Sequence, residues 1–309
     1  MAVSDAPAAE CHGRLKAYII LAGAVLIVSS AAIMIRYAQA DGVPSISIAA
    51  WRLSLAALVL TPLVLATRRP ALAALTAREW GFGLASGAFL AAHFAAWISS
   101  LAYTSVASSV ALVATNPIWI ALASWLILKE RPSGLLALGI ASAIGGSALI
   151  FLSDSRAGTS VGADPVLGNL LAVVGSLTVC GYLLIGRKLR ARVALLPYIW
   201  LVYSASALCL MAIALASGQK LFGFSDFAWL MLAGLALGPQ LLGHGAFNWA
   251  LKHLSASFIA VATLGEPVGS AILAWLFLGE KFAVLQLCGF AALLVGIYLA
   301  AKAEEAKQP

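Results

Sequence analysis

The chain has 309 residues, 62% of them hydrophobic and only 10% charged, with a formal net charge of +7. A soluble domain carries about a quarter charged residues, so a soluble globular protein is excluded. Nucleic acid is not indicated as a partner either, because the Lys and Arg residues stand between apolar runs rather than on one face.

In chain order, the first seventeen residues, which include Cys11 and His12, form a short polar lead. No signal-peptide pattern precedes the first apolar run, which is read as a retained helix. Hydropathy predicts ten spanning helices, at about 17–37, 44–66, 80–101, 106–128, 134–152, 166–186, 195–217, 227–249, 255–278 and 283–302. The longest link runs from Ser153 to Pro165, is rich in Gly, Ser and Asp, and holds Asp154 and Asp164 in a loop. It is expected to divide the chain into two five-helix halves, 17–152 and 166–302. The two sets of alternate segments carry fourteen and five Lys/Arg residues. That bias predicts a multi-pass inner-membrane protein with both termini cytoplasmic.

The halves echo each other. With a shift of 150 residues, Pro267 falls on Pro117, Trp275 on Trp125, Glu280 on Glu130, Gly289 on Gly139 and Gly296 on Gly146. Five helices per half is an odd number, so the second half must cross the membrane upside down relative to the first. Inverted repeats of this kind place a binding site near the midplane, between the repeats. The expected fold is therefore an all-α membrane protein, with ten transmembrane helices as two inverted five-helix repeats around a central cavity.

The ninth predicted helix, SASFIAVATLGEPVGSAILAWLFL, is the most informative stretch. Glu266 lies about 16 Å along it, at about 1.5 Å per residue, which is near the midplane. A charge there costs about 2.5–3.5 kcal/mol on insertion scales. Pro267 has no N–H to give the carbonyl of Thr263, and lipid offers that oxygen no partner. Both features point to a polar site inside a bundle.

Other polar residues fall on single helical faces. Gln240, His244 and Asn248 are spaced four apart beside Pro239, which frees the carbonyl of Leu235. His93 and Trp97 are also four apart. Helix 4 carries Thr115, Asn116 and Trp119, helix 6 Thr178 and Tyr182, and helix 9 Ser270 beside Glu266. Each has a plainer reading. Ser and Thr bond back to their own helices, so Thr115, Thr178 and Ser270 fit a structural role as well as a cavity one. Trp51, Trp125 and Trp275 lie near helix ends and suit interface anchoring or packing. Arg52, about eight residues from Pro44, is expected to snorkel to the outer surface or to form an ion pair, well above Glu266. Gly81, Gly83 and Gly87, then Gly139, Gly145 and Gly146, are read as close helix contacts within one molecule, so a monomer is expected.

No catalytic set is visible: the chain has no H-E-x-x-H, no G-x-S-x-G and no phosphate loop. The cysteines, Cys11, Cys180, Cys209 and Cys288, are scattered singly, so neither a disulfide framework nor a metal site is expected. No cofactor is expected.

Ten helices in two inverted halves, Glu266-Pro267 in helix 9, and Glu130 and Glu280 closing helices 4 and 9 resemble the EamA branch of the drug/metabolite transporter superfamily. The segment ATLGEPVGSAILAWLFLGEK resembles that family's most recognisable stretch. The resemblance covers nearly the whole chain and, with His93 in helix 3, extends to the bacterial exporters of aromatic amino acids. It implies a central cavity lined mainly by helices 1, 3, 4, 6, 8 and 9, and alternating access. Asn116 stands where the second half has Glu266, which argues against a mechanism of paired carboxylates. The expected function is export of amino acids, aromatic or otherwise amphipathic, or of related small metabolites. The expected binding residues are His93, Trp97, Thr115, Asn116, Trp119, Tyr182, Gln240, His244, Asn248 and Glu266. A small-solute channel and an intramembrane enzyme acting on a lipid-linked substrate are the alternatives.

Overall fold

The structure, a computed structural model, describes residues 19–116, 118–119, 133–157, 162–190, 192–246 and 265–305. Among the described residues there are helices and connecting turns and no strand. In chain order the helices are α1 (Ile19–Ala40), α2 (Ser45–Thr67), α3 (Ala77–Ser100), α4 (Val106–Val113), α5 (Gly134–Ala157), α6 (Pro165–Arg190), α7 (Leu195–Ala216), α8 (Asp226–Ala246), α9 (Gly265–Leu278) and α10 (Val284–Glu305). Among the described residues seven helices, α1, α2, α3 and α5 to α8, are long and apolar enough to cross a membrane, fewer than the ten expected. Helices α4 and α9 adjoin 120–132 and 247–264, which lie outside the described residues, as do Pro117, Trp125, Glu130, Asn248 and Thr263. Exposed side chains such as Leu58, Leu208, Leu215 and Leu230 suit a hydrocarbon surrounding.

Local chemistry explains where the helix ends depart from expectation. Helix α3 begins at Ala77 because Thr76 and Glu79 form a capping box. The Glu79 backbone N–H donates to Thr76 Oγ1 (3.2 Å), and the Thr76 N–H donates to the Glu79 carboxylate (2.8 Å). Helix α5 runs on to Ala157, so Asp154 is not in a loop but buried near a helix end. Its carboxylate accepts from Asn169 Nδ2 (2.7 Å) and Gln286 Nε2 (3.1 Å), which satisfies it away from water. Helix α8 starts as an ordinary α-helix and widens to a π-helix over Ala236–Gly243. Pro239 lies inside that segment, and the lost N–H is absorbed by the wider turns.

Helices α5 and α10 cross antiparallel at van der Waals distance. A Cβ added to Gly146 would fall 2.6 Å from the Gly289 carbonyl oxygen, and one added to Gly139 would fall 2.8 Å from that of Gly296. Each glycine thus packs against the counterpart of the other. Ser142 and Ala292, themselves counterparts, meet at the crossing, where Ser142 Oγ donates to the Ala292 carbonyl (2.8 Å). The remaining neighbours follow suit: α2 packs on α7, α4 on α9, α3 on α6, and α8 on α1. Gly83 and Gly87 admit Leu201 and Ala205 of α7, so they are intramolecular contacts as expected. Gly81 and Gly145 meet nothing within 4 Å and are not. One apolar core lies among α1, α2, α3, α7 and α8, around Ile35, Leu53, Leu90, Leu210 and Leu232. A second lies among α4, α5, α6 and α10, around Leu112, Ile150 and Leu293.

Five links gather at one end of the bundle. Ser225 donates to the Asp41 carboxylate, the Asp164 N–H donates to the Tyr103 carbonyl, and Arg36 donates to the Leu101 carbonyl. The Val106 N–H donates to both oxygens of Glu280 (3.0 and 3.1 Å), so a carboxylate from one half caps α4 of the other. At the opposite end Arg78 and Lys188 stand over the Phe82 ring.

Candidate functional site

The polar side chains of α2, α3, α8 and α9 converge inside the bundle. Arg52 is central to this cluster, and the structure overturns the expectation that it snorkels: it is 1% exposed. Its Nε donates to Gln240 Oε1 (2.9 Å), and its guanidinium lies 4.4 Å from the Phe94 ring centroid and 5.7 Å from that of Trp97. A desolvated cation over an aromatic face gains about 2 kcal/mol or more, which helps hold it inward. The way out is also covered. Ser47 Oγ donates to the Lys220 carbonyl and Trp51 Nε1 to the Leu221 carbonyl, tying the α7–α8 link over the end of α2. Trp51 packs edge-on against Phe222 and Trp229, the packing role expected of it.

Glu266 lies in the first turn of α9 as described, and its charge and that of Arg52 act on each other. His244, on α8, lies within electrostatic reach of Arg52 and His93. Gln240, 2% exposed, holds Arg52 from within the π-helical segment and also interacts with the Tyr203 phenol. The wider turns around Pro239 thus carry the residue that positions the buried cation.

His93 stacks on Trp97 with ring centroids 6.0 Å apart and planes 19° from parallel, and both are buried. Its Nδ1 lies 2.9 Å from the Gly175 carbonyl oxygen. A carbonyl only accepts, so Nδ1 carries the hydrogen and Nε2 is left as an acceptor in the neutral ring. His93 therefore bridges α3 and α6 and also walls the cluster. Gly175 makes this possible, since a Cβ there would press on Trp97 at 3.3 Å.

One residue further along α6, Ser176 joins the second group. Its hydroxyl meets Thr115 Oγ1 (2.9 Å), which accepts from Trp119 Nε1 (2.9 Å) and donates to the Leu112 carbonyl (2.6 Å). Asn116 donates to the Val113 carbonyl at 3.4 Å, and its own carbonyl accepts from Cys180. Thr178 bonds back to Val174 and Gly175 of its own helix, the structural role. Ser270 donates to the Ser29 carbonyl (3.0 Å), joining α9 to α1. Tyr182, half-buried, interacts with Tyr198 and Tyr203, which links it to Gln240.

Of the ten residues expected to bind, His93, Trp97, Gln240, His244 and Glu266 lie around Arg52, and Tyr182 joins them through Tyr203. Thr115, Asn116 and Trp119 form the adjoining group, and Asn248 lies outside the described residues. Arg52 and Tyr203 were missed as members. A tyrosine in the middle of an apolar span was a usable signal for Tyr203. Ser176, flanked by residues that hold His93 and Thr115, carried no signal of its own. Among the described residues no group of three or more His, Cys, Asp or Glu side chains could hold a metal.

Comparison with known proteins places this arrangement. The model of the EamA-like transporter family matches the chain twice, over residues 15–152 and 166–302. The chain belongs to the EamA-like transporter family, a family of membrane transporters. Chains of solved structures match as well, and one of them, described only as the crystal structure of a protein, has 18% sequence identity. It superposes with a TM-score of 0.62 over 96% of this chain and 100% of that one, a likeness of fold alone. No curated protein matches the chain.

Proposed function

We propose that the protein is a secondary transporter of the inner membrane that exports amino acids, aromatic or otherwise amphipathic, or related small metabolites, by alternating access. The observation that carries this reading is the convergence of Arg52 and His93–Trp97 from the first half with Gln240, His244 and Glu266 from the second, in the interior of a transporter-family bundle. Ten spans in two inverted repeats, 17–152 and 166–302, complete the proposal. It is supported by the antiparallel crossing of α5 and α10, at which counterpart residues meet. In alternating access the repeats rock against each other around a site shared between them.

Within this site His93, Trp97, Trp119 and Tyr182 would contact the flat apolar part of the substrate, and stacking of this kind is worth about 0.5–1.5 kcal/mol beyond area burial. Gln240, His244, Asn248 and Glu266, with Thr115 and Asn116, would bind its polar end. The test is uptake of labelled tryptophan by liposomes containing purified protein, against a panel of competing amino acids. Saturable uptake with aromatic competitors strongest is the expected result. Uptake rising linearly with concentration would favour a channel, and chemical conversion of the solute would favour an enzyme.

A further inference from the structure

The cluster contains a buried cation whose bonding is incomplete among the described residues. A guanidinium keeps its charge at neutral pH and presents five N–H donors in a planar fork. Arg52 spends Nε on a neutral acceptor, Gln240 Oε1, and its face is packed by Phe94. Among the described residues its Nη1 is buried with no hydrogen-bond partner. Nη1 lies on the end of the fork away from Nε, the edge that takes a carboxylate in the end-on manner. A second buried donor stands in the same cluster: Trp97 Nε1 also has no partner among the described residues. A buried charge left short of partners is costly, and charged groups are ordinarily buried against an opposite charge. The Tyr203 phenol and, after it, Glu266 from the other half of the chain act on Arg52, and among the described residues Glu266 has no direct hydrogen bond to it. The arrangement thus sets a cationic donor edge and a carboxylate in one interior cluster, beside the stacked His93 and Trp97 rings.

We propose that Arg52 is the anchor for the carboxylate of the substrate and that, with Glu266 facing the ammonium group, it selects zwitterionic α-amino acids over amines and over simple carboxylic acids. This rests on the transport reading above and narrows its substrate class. Gln240 is then a positioning residue, fixing the plane of the fork from the π-helical segment of α8. Trp97 contributes its ring to the side chain and its N–H to the polar end.

Calorimetric titration of the purified full-length protein with tryptophan, tryptamine and indole-3-propionate tests this. The three ligands share the indole and differ in the charged groups. The wild type is expected to bind tryptophan about 10- to 100-fold more tightly than tryptamine, the range for hydrogen bonds to a charged group. In Arg52→Met that ratio should collapse toward one through loss of tryptophan binding. Arg52→Lys, which keeps the charge and loses the fork, should fall between. A wild-type protein that binds tryptophan and tryptamine alike overturns the anchor and leaves amino acid transport standing, and this outcome needs no variant to fold. Binding of indole-3-propionate but not tryptophan, lost in Arg52→Met, keeps the anchor and overturns amino acids as the substrate. Binding of none of the three overturns aromatic amino acids as substrates and, with them, the selection by Arg52 proposed for them.

Discussion

Glu266 and Arg52 show how one residue's role depends on what reaches it. A carboxylate in the interior of a membrane bundle is held there by charge or by function, and Glu266 has both a cation within reach and a place in the interior cluster. Replacing Glu266 with Gln keeps the shape and removes the charge. Substrate binding and exchange are expected to weaken together by about tenfold or more, since hydrogen bonds to charged groups contribute about 1.5–3 kcal/mol. Loss of uphill accumulation alone, with exchange intact, would instead make Glu266 a proton carrier. A variant that folds and transports as the wild type does would remove it from the mechanism. Spacing made the second-half face legible, because Gln240 and His244 recur every four residues beside a proline. Arg52 was misread because its distance from Pro44 measures reach and not obstruction. Sequence spacing could not show that the α7–α8 link covers the way out, or that Gln240 and Phe94 hold the guanidinium inward.

At the scale of helices, neighbouring glycines on α5 make a controlled comparison. Gly146 faces α10, where a Cβ would stand 2.6 Å from both the Gly289 oxygen and the Leu293 nitrogen, so backbone must move. Gly145 faces open space. Gly146→Ala is expected to destabilise by about 1–3 kcal/mol, the range for overpacking. Gly145→Ala is expected to be neutral or stabilising by up to about 1 kcal/mol, from helix propensity. Thermal unfolding in detergent reads both, and equal effects would mean that the α5–α10 crossing is not the tight contact described. The Glu280 cap makes a similar prediction. Glu280→Ala leaves the Val106 N–H without its acceptor and should cost about 0.5–2 kcal/mol, with Glu280→Gln costing less because its amide oxygen still accepts. An unchanged melting temperature in Glu280→Ala would show that the cap contributes nothing. Helix existence was well marked by hydropathy, whereas helix ends depended on local bonds: the Thr76–Glu79 box began α3 early, and the Asn169 and Gln286 contacts let α5 keep Asp154.

For the whole molecule, the repeat was legible because glycines and a Glu recur at one offset, and the helix neighbours obey the same exchange of halves. What the offset could not show is how the two polar groups join, since that depends on Gly175 and Ser176, which place His93 and Thr115 on adjacent positions of α6. The Lys/Arg bias predicts the sidedness of the whole bundle. Single cysteines at Ser160 and Ala191, in a cysteine-free background, are expected to react with an impermeant thiol reagent on intact cells at Ser160 and not at Ala191. The reverse pattern would turn the molecule over.

A carrier of the kind proposed has one interior site that faces each side in turn. Counterflow in liposomes detects such a site. Vesicles preloaded with unlabelled tryptophan should take up external labelled tryptophan faster than empty ones, saturably and with a transient overshoot. Uptake that is indifferent to the preload and proportional to external concentration would make the protein a channel and not a carrier.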